Sequence, residues 1–176
     1  MQNNAMNTKI ALLSILFLLA VSRSTLGFAE NADRAKPINI EADRGAMDDK
    51  TSTAKFEGNV VLTQGTLLIR ADELTVIQEN DEFKKGIAVG NLAYFRQKRE
   101  GYDDFIEGEA ERIEYDAITD ELRMFQNARL WRDQDEVHGP FISYDAKTEQ
   151  FLVDGSLSSA NSGRVRAVIK PKTKDR

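Results

Sequence analysis

The chain has 176 residues, 30% of them charged, and a formal net charge of −5. This length suits one domain of ordinary size. An acidic balance argues against nucleic-acid binding, because that requires basic surface to displace the counterions of the phosphates. The sequence contains no cysteine, which excludes disulfides, thiolate chemistry and cysteine-ligated metals. The fold must therefore be stabilised by burial and strand pairing.

The first 29 residues have the pattern of a secretory signal peptide. A polar start with one cation, Lys9, precedes an apolar run at 10–21, and Gly27 and Ala29 are small residues at the positions that a signal peptidase inspects. The run is shorter than the ~20 residues that a membrane-spanning helix needs. We therefore expect cleavage after Ala29, with an uncleaved membrane anchor as the alternative. Cleavage would leave an exported chain with a net charge of −7, because residues 1–29 carry two cations and no acids.

A polar leader at 30–36 comes before the first predicted strand, and we expect it to be mobile. Pro37 ends the leader and begins the predicted domain, which runs to residue 170. Residues 38–43 alternate apolar and polar side chains, which predicts a short strand with one buried face. Residues 44–52 are polar and predict a turn.

The densest strand signal lies in 54–77, which is rich in β-branched and aliphatic residues. Gly58-Asn59 and Gln64-Gly65 interrupt this stretch, and the sequence predicts antiparallel strands joined by tight turns at both points. Glycine suits such turns because it adopts positive φ without a Cβ clash. Charged connections are predicted at 78–85 and 98–104. Further strands are predicted at 86–97 with a break at Gly90-Asn91, 105–115, 122–131 with a corner at Gln126-Asn127, 137–144, 150–153 and 164–169, before a basic tail at 171–176.

The spacing of these signals indicates an all-β protein. Outside the signal peptide, no window of about a dozen residues keeps the period of an amphipathic helix. An imperfect repeat also places aspartate before successive apolar runs, at Ala42-Asp43, Ala71-Asp72, Tyr115-Asp116 and Tyr144-Asp145. Stacked strand–turn units of this kind would bury a continuous apolar trough. The alternative is that any β-meander repeats aspartate and glycine at its turns.

Residues that could carry out catalysis are sparse. The single histidine, His138, would have to supply any triad or zinc site alone, and is more simply a strand residue. A glycan hydrolase would need paired carboxylates. Acidic groups occur at Asp48-Asp49, Asp103-Asp104 and Glu109/Glu111/Glu114. They lie in predicted turns or on the polar side of strands, so the sequence predicts no enzyme, no metal site and no cofactor.

Inward apolar side chains are the remaining candidates for function. In the predicted strands these are Ile38, Ile40, Phe56, Val60, Leu62, Leu67, Ile69, Leu74, Val76, Phe95, Ile113, Tyr115, Leu122, Met124, Leu130, Ile142, Tyr144 and Phe151. Periodicity alone favours an ordinary filled core. An open end, where the apolar stripe reaches solvent, would favour lipid binding instead.

Four stretches of the chain together match a known family pattern, namely Pro37–Asp43, Phe56–Val60, Gln64–Asp72 and Gly163–Lys172. They resemble the OstA-like (organic-solvent-tolerance) family of periplasmic lipopolysaccharide-transport proteins. The resemblance covers nearly the whole chain after the predicted cleavage site and is loosest at 78–104. It implies an open, twisted antiparallel β-jellyroll, V-shaped in section and formed by a single domain.

The resemblance also implies a function and partners. The interior would shelter the lipid A acyl chains of lipopolysaccharide from water. Each CH₂ group buried in this way would stabilise the bound state by ~0.8 kcal/mol. Copies would stack end to end through unpaired strand edges, from an LptC-like inner-membrane protein to an LptD-like outer-membrane protein. Lipid contacts are expected at Ile38, Ile40, Phe56, Val60, Leu62, Leu67, Ile69, Leu74, Val76, Phe95, Ile113, Tyr115, Leu122, Met124 and Ile142. The alternatives are a membrane-anchored LptC-like partner of the same fold, a scaffold without a ligand, and a glycan hydrolase.

Overall fold

The computed structural model describes residues 33–80, 82–156 and 163–171, and these form one antiparallel sheet. The strands are β1 (Asn39–Glu41), β2 (Arg44–Asp48), β3 (Thr53–Gln64), β4 (Leu67–Glu79), β5 (Glu82–Lys98), β6 (Phe105–Asp116), β7 (Glu121–Arg132), β8 (Asp135–Asp145), β9 (Gln150–Asp154) and β10 (Arg166–Val168). The pairing order is β1-β3-β4-β5-β6-β7-β8-β10. In addition, β2 pairs with β3 and β9 pairs with β8. The all-β prediction is confirmed.

A line of β-bulges crosses the sheet and corrects the predicted turns at Gly58-Asn59 and Gln126-Asn127. Strand β3 continues through the first pair with an irregular register between Glu57 and Val60. Strand β7 continues through the second pair, and β5 likewise passes through Gly90-Asn91. Bulges and hairpin turns both favour glycine and asparagine, which tolerate positive φ, so the two look alike in sequence. Gly58 and Asn59 do have positive φ, at 81° and 49°.

The bulge line divides the sheet into two walls. Wall A consists of β2, β9 and segments 53–57, 73–79, 82–89, 112–116, 121–125 and 141–145. Wall B consists of β1, β10 and segments 60–64, 67–71, 93–98, 105–110, 128–132 and 135–139. The hairpin turns lie at the far ends of the strands, where they form a lip along each wall. The lips lie on the side opposite the bulge line.

The two walls face each other across the core. The ring of Phe95 on wall B lies 5.4 Å, between centroids, from the ring of Tyr115 on wall A. At Gly108 on wall B, an added Cβ would lie 2.6 Å from the sulfur of Met124 on wall A. A folded roll rather than a flat sheet therefore encloses the apolar side chains.

The aspartates of the sequence repeat have two different tasks. At the bulge line, Asp43 accepts a hydrogen bond from the Asn59 side chain at 2.9 Å, and Asp72 accepts one from the Asn91 backbone N–H at 3.0 Å. At the lip of wall A, Asp116 and Asp145 instead accept backbone N–H groups of the next hairpin turns. The repeat therefore combines two motifs, a bulge contact at its first two positions and a turn contact at its last two.

Two further expectations differ from the structure. Part of the polar stretch 44–52, predicted to be a turn, forms strand β2, because its backbone pairs with β3 over five residues. The described part of the leader makes specific contacts rather than projecting into solvent: Asp33 is 9% exposed and accepts hydrogen bonds from Thr66. In the described part of the chain, no helix is long and apolar enough to cross a membrane. The signal-peptide prediction falls on residues outside the described ranges.

Candidate functional site

The predicted lipid-contacting residues converge on one apolar cluster between the walls. Twelve of the fifteen are at most 4% exposed, namely Val60, Leu62, Leu67, Ile69, Leu74, Val76, Phe95, Ile113, Tyr115, Leu122, Met124 and Ile142. They alternate along their strands with residues of the outer face, as period-2 patterning requires. The middle of the interior is therefore a filled core, in which the walls are in contact.

The remaining three, Ile38, Ile40 and Phe56, are partly buried and lie at the N-terminal end of the roll. A cleft of about 650 Å³ opens beside Ile38. Its lining combines polar and apolar side chains, namely Arg34, Ala35, Lys36, Pro37, Ile38, Gln64, Gln78, Glu82, Phe83, Ala117 and Ile118. Ile38, which packs against the edge of the apolar cluster, reaches solvent in this cleft.

The C-terminal end of the interior is also exposed. Phe151 on β9 lies opposite the buried Tyr144, so it faces inward as predicted, but 40% of its surface is exposed. The buried side chain of Leu130 confirms the corresponding prediction for wall B. The structure thus has a packed centre and two apolar ends.

Ion pairs and hydrogen bonds connect the lips. Arg99, on the lip of wall B, lies 2.9 Å from Glu149 on the lip of wall A and 2.8 Å from Asp104. Arg34 of the leader pairs with Asp120 on the lip of wall A, while the neighbouring Asp33 accepts a hydrogen bond from Thr66 on the lip of wall B. The open side of the V is therefore bridged at two places.

Local environment shifts the ionisation of two groups near the lips. Burial opposes the ionisation of Asp33, but hydrogen bonds from the hydroxyl and backbone N–H of Thr66, together with Lys36, hold its pKa below the usual value of 3.8. Burial raises the pKa of the Tyr144 hydroxyl. Asp33 is thus an anion and Tyr144 is neutral at neutral pH.

The candidate catalytic residues do not converge. His138 is exposed on the outer face of wall B. Glu114 lies 2.8 Å from Lys85, and Glu109 lies 3.7 Å from Arg129, so these acids are neutralised by neighbouring cations. Among the described residues, no group of three or more acids, histidines or cysteines could hold a metal ion.

Sequence reasoning missed part of the interior. Phe83 is 8% exposed and contributes to the core, although it lies in a charged stretch that was predicted to be a connection. Four alanines, Ala88, Ala93, Ala110 and Ala128, are at most 1% exposed and line the fold next to the bulges. Their burial follows the alternation of each strand, and the period-2 pattern could have identified them.

The described residues thus define the class of this protein, an open antiparallel β-jellyroll with an apolar interior and two exposed sheet edges, one formed by β1 and β2 and the other by β9 and β10. Residues 39–150 match the family model described as "LptA/(LptD N-terminal domain) LPS transport protein". The chain belongs to this family.

Individual relatives and a solved structure agree with this assignment. The lipopolysaccharide export system protein LptA of Haemophilus influenzae is 31% identical over 161 residues, covering 89% of this chain and 91% of the relative. LptH of Pseudomonas aeruginosa is 29% identical over 166 residues, covering 91% and 94% of the two chains. The crystal structure of LptH, the LptA-homologous periplasmic component of the lipopolysaccharide transport device, superposes with a TM-score of 0.72. In that comparison the identity is 27%, and the matched region covers 79% of this chain and 99% of the LptH chain.

Proposed function

We propose that this chain is a non-catalytic periplasmic carrier of lipopolysaccharide, exported after removal of residues 1–29. Acyl chains lie between walls A and B, in contact with the inward side chains named above, and phosphates and sugars stay in solvent. Copies stack end to end and connect an LptC-like inner-membrane protein to an LptD-like outer-membrane protein. The family and the names of its relatives support lipopolysaccharide as the ligand.

The observation that carries the proposal is an apolar interior that is continuous from a packed centre to an accessible N-terminal end. Ile38 and Ile40 pack against the cluster that contains Leu62 and Phe95, yet they are partly exposed. An acyl chain that enters at the cleft beside Ile38 can exchange contacts with water for contacts with this cluster. Each CH₂ group that it buries stabilises the complex by ~0.8 kcal/mol. Similar apolar side chains follow one another along the interior, so no single position holds the lipid in a deep minimum.

The packed centre sets a requirement for this function. Because Phe95 touches Tyr115 and Met124 fills the space over Gly108, acyl chains enter the middle of the roll when the walls move apart. Each acyl chain then replaces the contacts that the walls lose to one another. The pair Arg99–Glu149 lies across the side that opens, and the leader spans the same side through Arg34–Asp120 and Asp33–Thr66.

Photo-crosslinking in cells tests the proposal with neighbouring positions on one strand. A photoreactive phenylalanine replaces Ile38 or Ile40 at the open end, and Asn39, which faces outward between them, is the matched control. We expect lipopolysaccharide adducts at 38 and 40 and a yield at least about tenfold lower at 39. Equal yields at all three positions, or no adduct from folded and exported protein, would support a scaffold without a ligand.

A further inference from the structure

The topology of the sheet determines how a second copy can be added. Eight strands lie on the path from β1 to β10, and each neighbouring pair is antiparallel. With an even number of strands, the first and the last run in opposite directions. A second copy in the same orientation, placed beyond β10, therefore presents its β1 antiparallel to β10. The path from β2 to β9 also has eight strands, so wall A continues in the same way.

Unbroken rows of directly opposed residues cross the sheet from edge to edge. One outward row of wall B runs through Glu41, Val61, Arg70, Tyr94, Glu109, Arg129, His138 and Arg166. One outward row of wall A runs through Arg44, Glu57, Glu73, Val89, Arg112, Phe125, Phe141 and Asp154. Each of these rows begins and ends with opposite charges, and the order of the charges is reversed between the two walls.

An inward row of wall A has apolar residues at both ends. It begins at Met47, passes through Ala54, Val76, Gly86, Tyr115, Leu122 and Tyr144, and ends at Phe151. Met47 is 71% exposed and Phe151 is 40% exposed, which is unusual for large apolar side chains on the core side of a sheet. A second copy that continues the row would cover both.

We propose that successive copies join with these rows in line, so that Arg44, Met47 and Glu41 of one copy lie opposite Asp154, Phe151 and Arg166 of the next. The inference rests on the proposed function and specifies the register of its end-to-end contact. Hydrogen bonds from the hydroxyl and backbone N–H of Ser156 hold the pKa of Asp154 below the usual 3.8, so this carboxylate is charged at neutral pH. The Arg44 side chain is 75% exposed beside Glu57 and is accessible to a second carboxylate.

Shifted registers lose these matches. A slip of two residues keeps every side chain on its own face but places Asp154 opposite Ala42 or Ala46, and Phe151 opposite Gly45 or Asp49. A slip of one residue turns Met47 outward, because side chains alternate between the faces of a strand. The aligned register on wall A thus combines the opposite charges with the apolar contact.

Engineered cysteine pairs read out the register directly, since the natural chain has no cysteine. The pair A46C/L152C lies in the aligned row on the outer face. The matched pairs A46C/Q150C and D48C/L152C correspond to slips of two residues in either direction. In one copy these positions are separated by seven strand spacings of ~4.8 Å, so each disulfide must join two copies.

We expect oxidation to convert the A46C/L152C protein into a ladder of covalent oligomers, with yields at least about fivefold lower for the two slipped pairs. A ladder that forms best with a slipped pair would overturn the register and leave the end-to-end bridge intact. Absence of any ladder, together with a monomer in sedimentation of the natural chain at all concentrations, would overturn the stacking itself.

Charge reversal supplies a second test that needs no crosslink. R44E alone and D154R alone each place like charges across the contact, and each is expected to weaken self-association in sedimentation by about fivefold, since an exposed pair contributes up to ~1 kcal/mol. The double variant R44E/D154R restores opposite charges and should recover most of this loss. If the double variant self-associates no more tightly than the weaker of the two single variants, Arg44 and Asp154 do not face each other.

Discussion

At the scale of single residues, the interior is defined by close contacts between facing walls rather than by hydrophobicity alone. Gly108 continues an inward row between Phe95 and Leu130, but it has no side chain, and the sulfur of Met124 from the opposite wall occupies that space. Glycine at this position therefore allows the two walls to meet. A side chain at position 108 would push the two walls apart, as an acyl chain inserted between them would.

This contact predicts a non-additive pair of substitutions. G108A would force Met124 from its place and destabilise the fold by about 1–3 kcal/mol through overpacking. M124A would cost about 2–5 kcal/mol, because it leaves a cavity. In the double variant, the added methyl group occupies part of the cavity, so the loss should be smaller than the sum of the two. Urea unfolding measures all three free energies, and additive losses would show that the two residues do not touch.

Asp33 provides a pH-dependent prediction. Its folded-state pKa is lowered by Thr66 and Lys36, so its contribution to stability is present above about pH 4 and is lost as the pH falls through the folded pKa. D33N should therefore be less stable than the natural chain by about 1–3 kcal/mol at pH 7, the range for lost hydrogen bonds to a charged group. The difference should shrink as the pH falls below about 4.

Urea unfolding at each pH measures this difference, and D49N serves as the control because Asp49 is an exposed turn residue. We expect D49N to change stability by less than about 0.5 kcal/mol at any pH, as surface substitutions usually do. A gap between D33N and the natural chain that stays constant or widens in acid would contradict the role given to Asp33.

At the scale of elements, the bulges determine where each strand turns from one wall into the other. The alternation of apolar residues predicted most strands and most of the buried positions, because the period of a strand is fixed by its backbone. It could not separate bulges from turns at Gly58-Asn59, Gly90-Asn91 and Gln126-Asn127, since both use the same residue types. The difference depends on the register of the neighbouring strand, which is a long-range property.

Gly58 allows a direct test of the bulge. Its φ is 81°, and a Cβ would lie 2.3 Å from a carboxylate oxygen of Asp43. G58A should therefore combine backbone strain with loss of the Asp43–Asn59 hydrogen bond and cost about 2–4 kcal/mol in urea unfolding. Gly101 is the matched control, with φ of 75° and no atom within 4 Å of an added Cβ. G101A should cost about 1 kcal/mol, and equal losses would assign the effect to backbone strain alone.

At the scale of the whole molecule, the residues predicted to contact lipid are mostly those that hold the two walls together. The sequence predicted which side chains face inward, but it could not show that the walls touch at Phe95 and Tyr115, because the angle between the walls depends on sheet twist and bulge geometry. It also did not indicate that Arg99 and Glu149, 50 positions apart, would meet across the lips. The exposed edges, in contrast, follow from an unclosed sheet, and they are the surfaces through which copies are proposed to join.

The central claim is that acyl chains occupy the space between the walls, and the distance between the lips tests it most directly. Spin labels on cysteines introduced at Glu100 and Thr148, both exposed on opposite lips, allow that distance to be measured by double electron–electron resonance. We predict that lipopolysaccharide increases the lip-to-lip distance by several ångströms, about the diameter of an acyl chain, while a label pair at Glu100 and Asp133 on wall B stays unchanged. An unchanged Glu100–Thr148 distance in protein that demonstrably holds lipopolysaccharide would contradict the account.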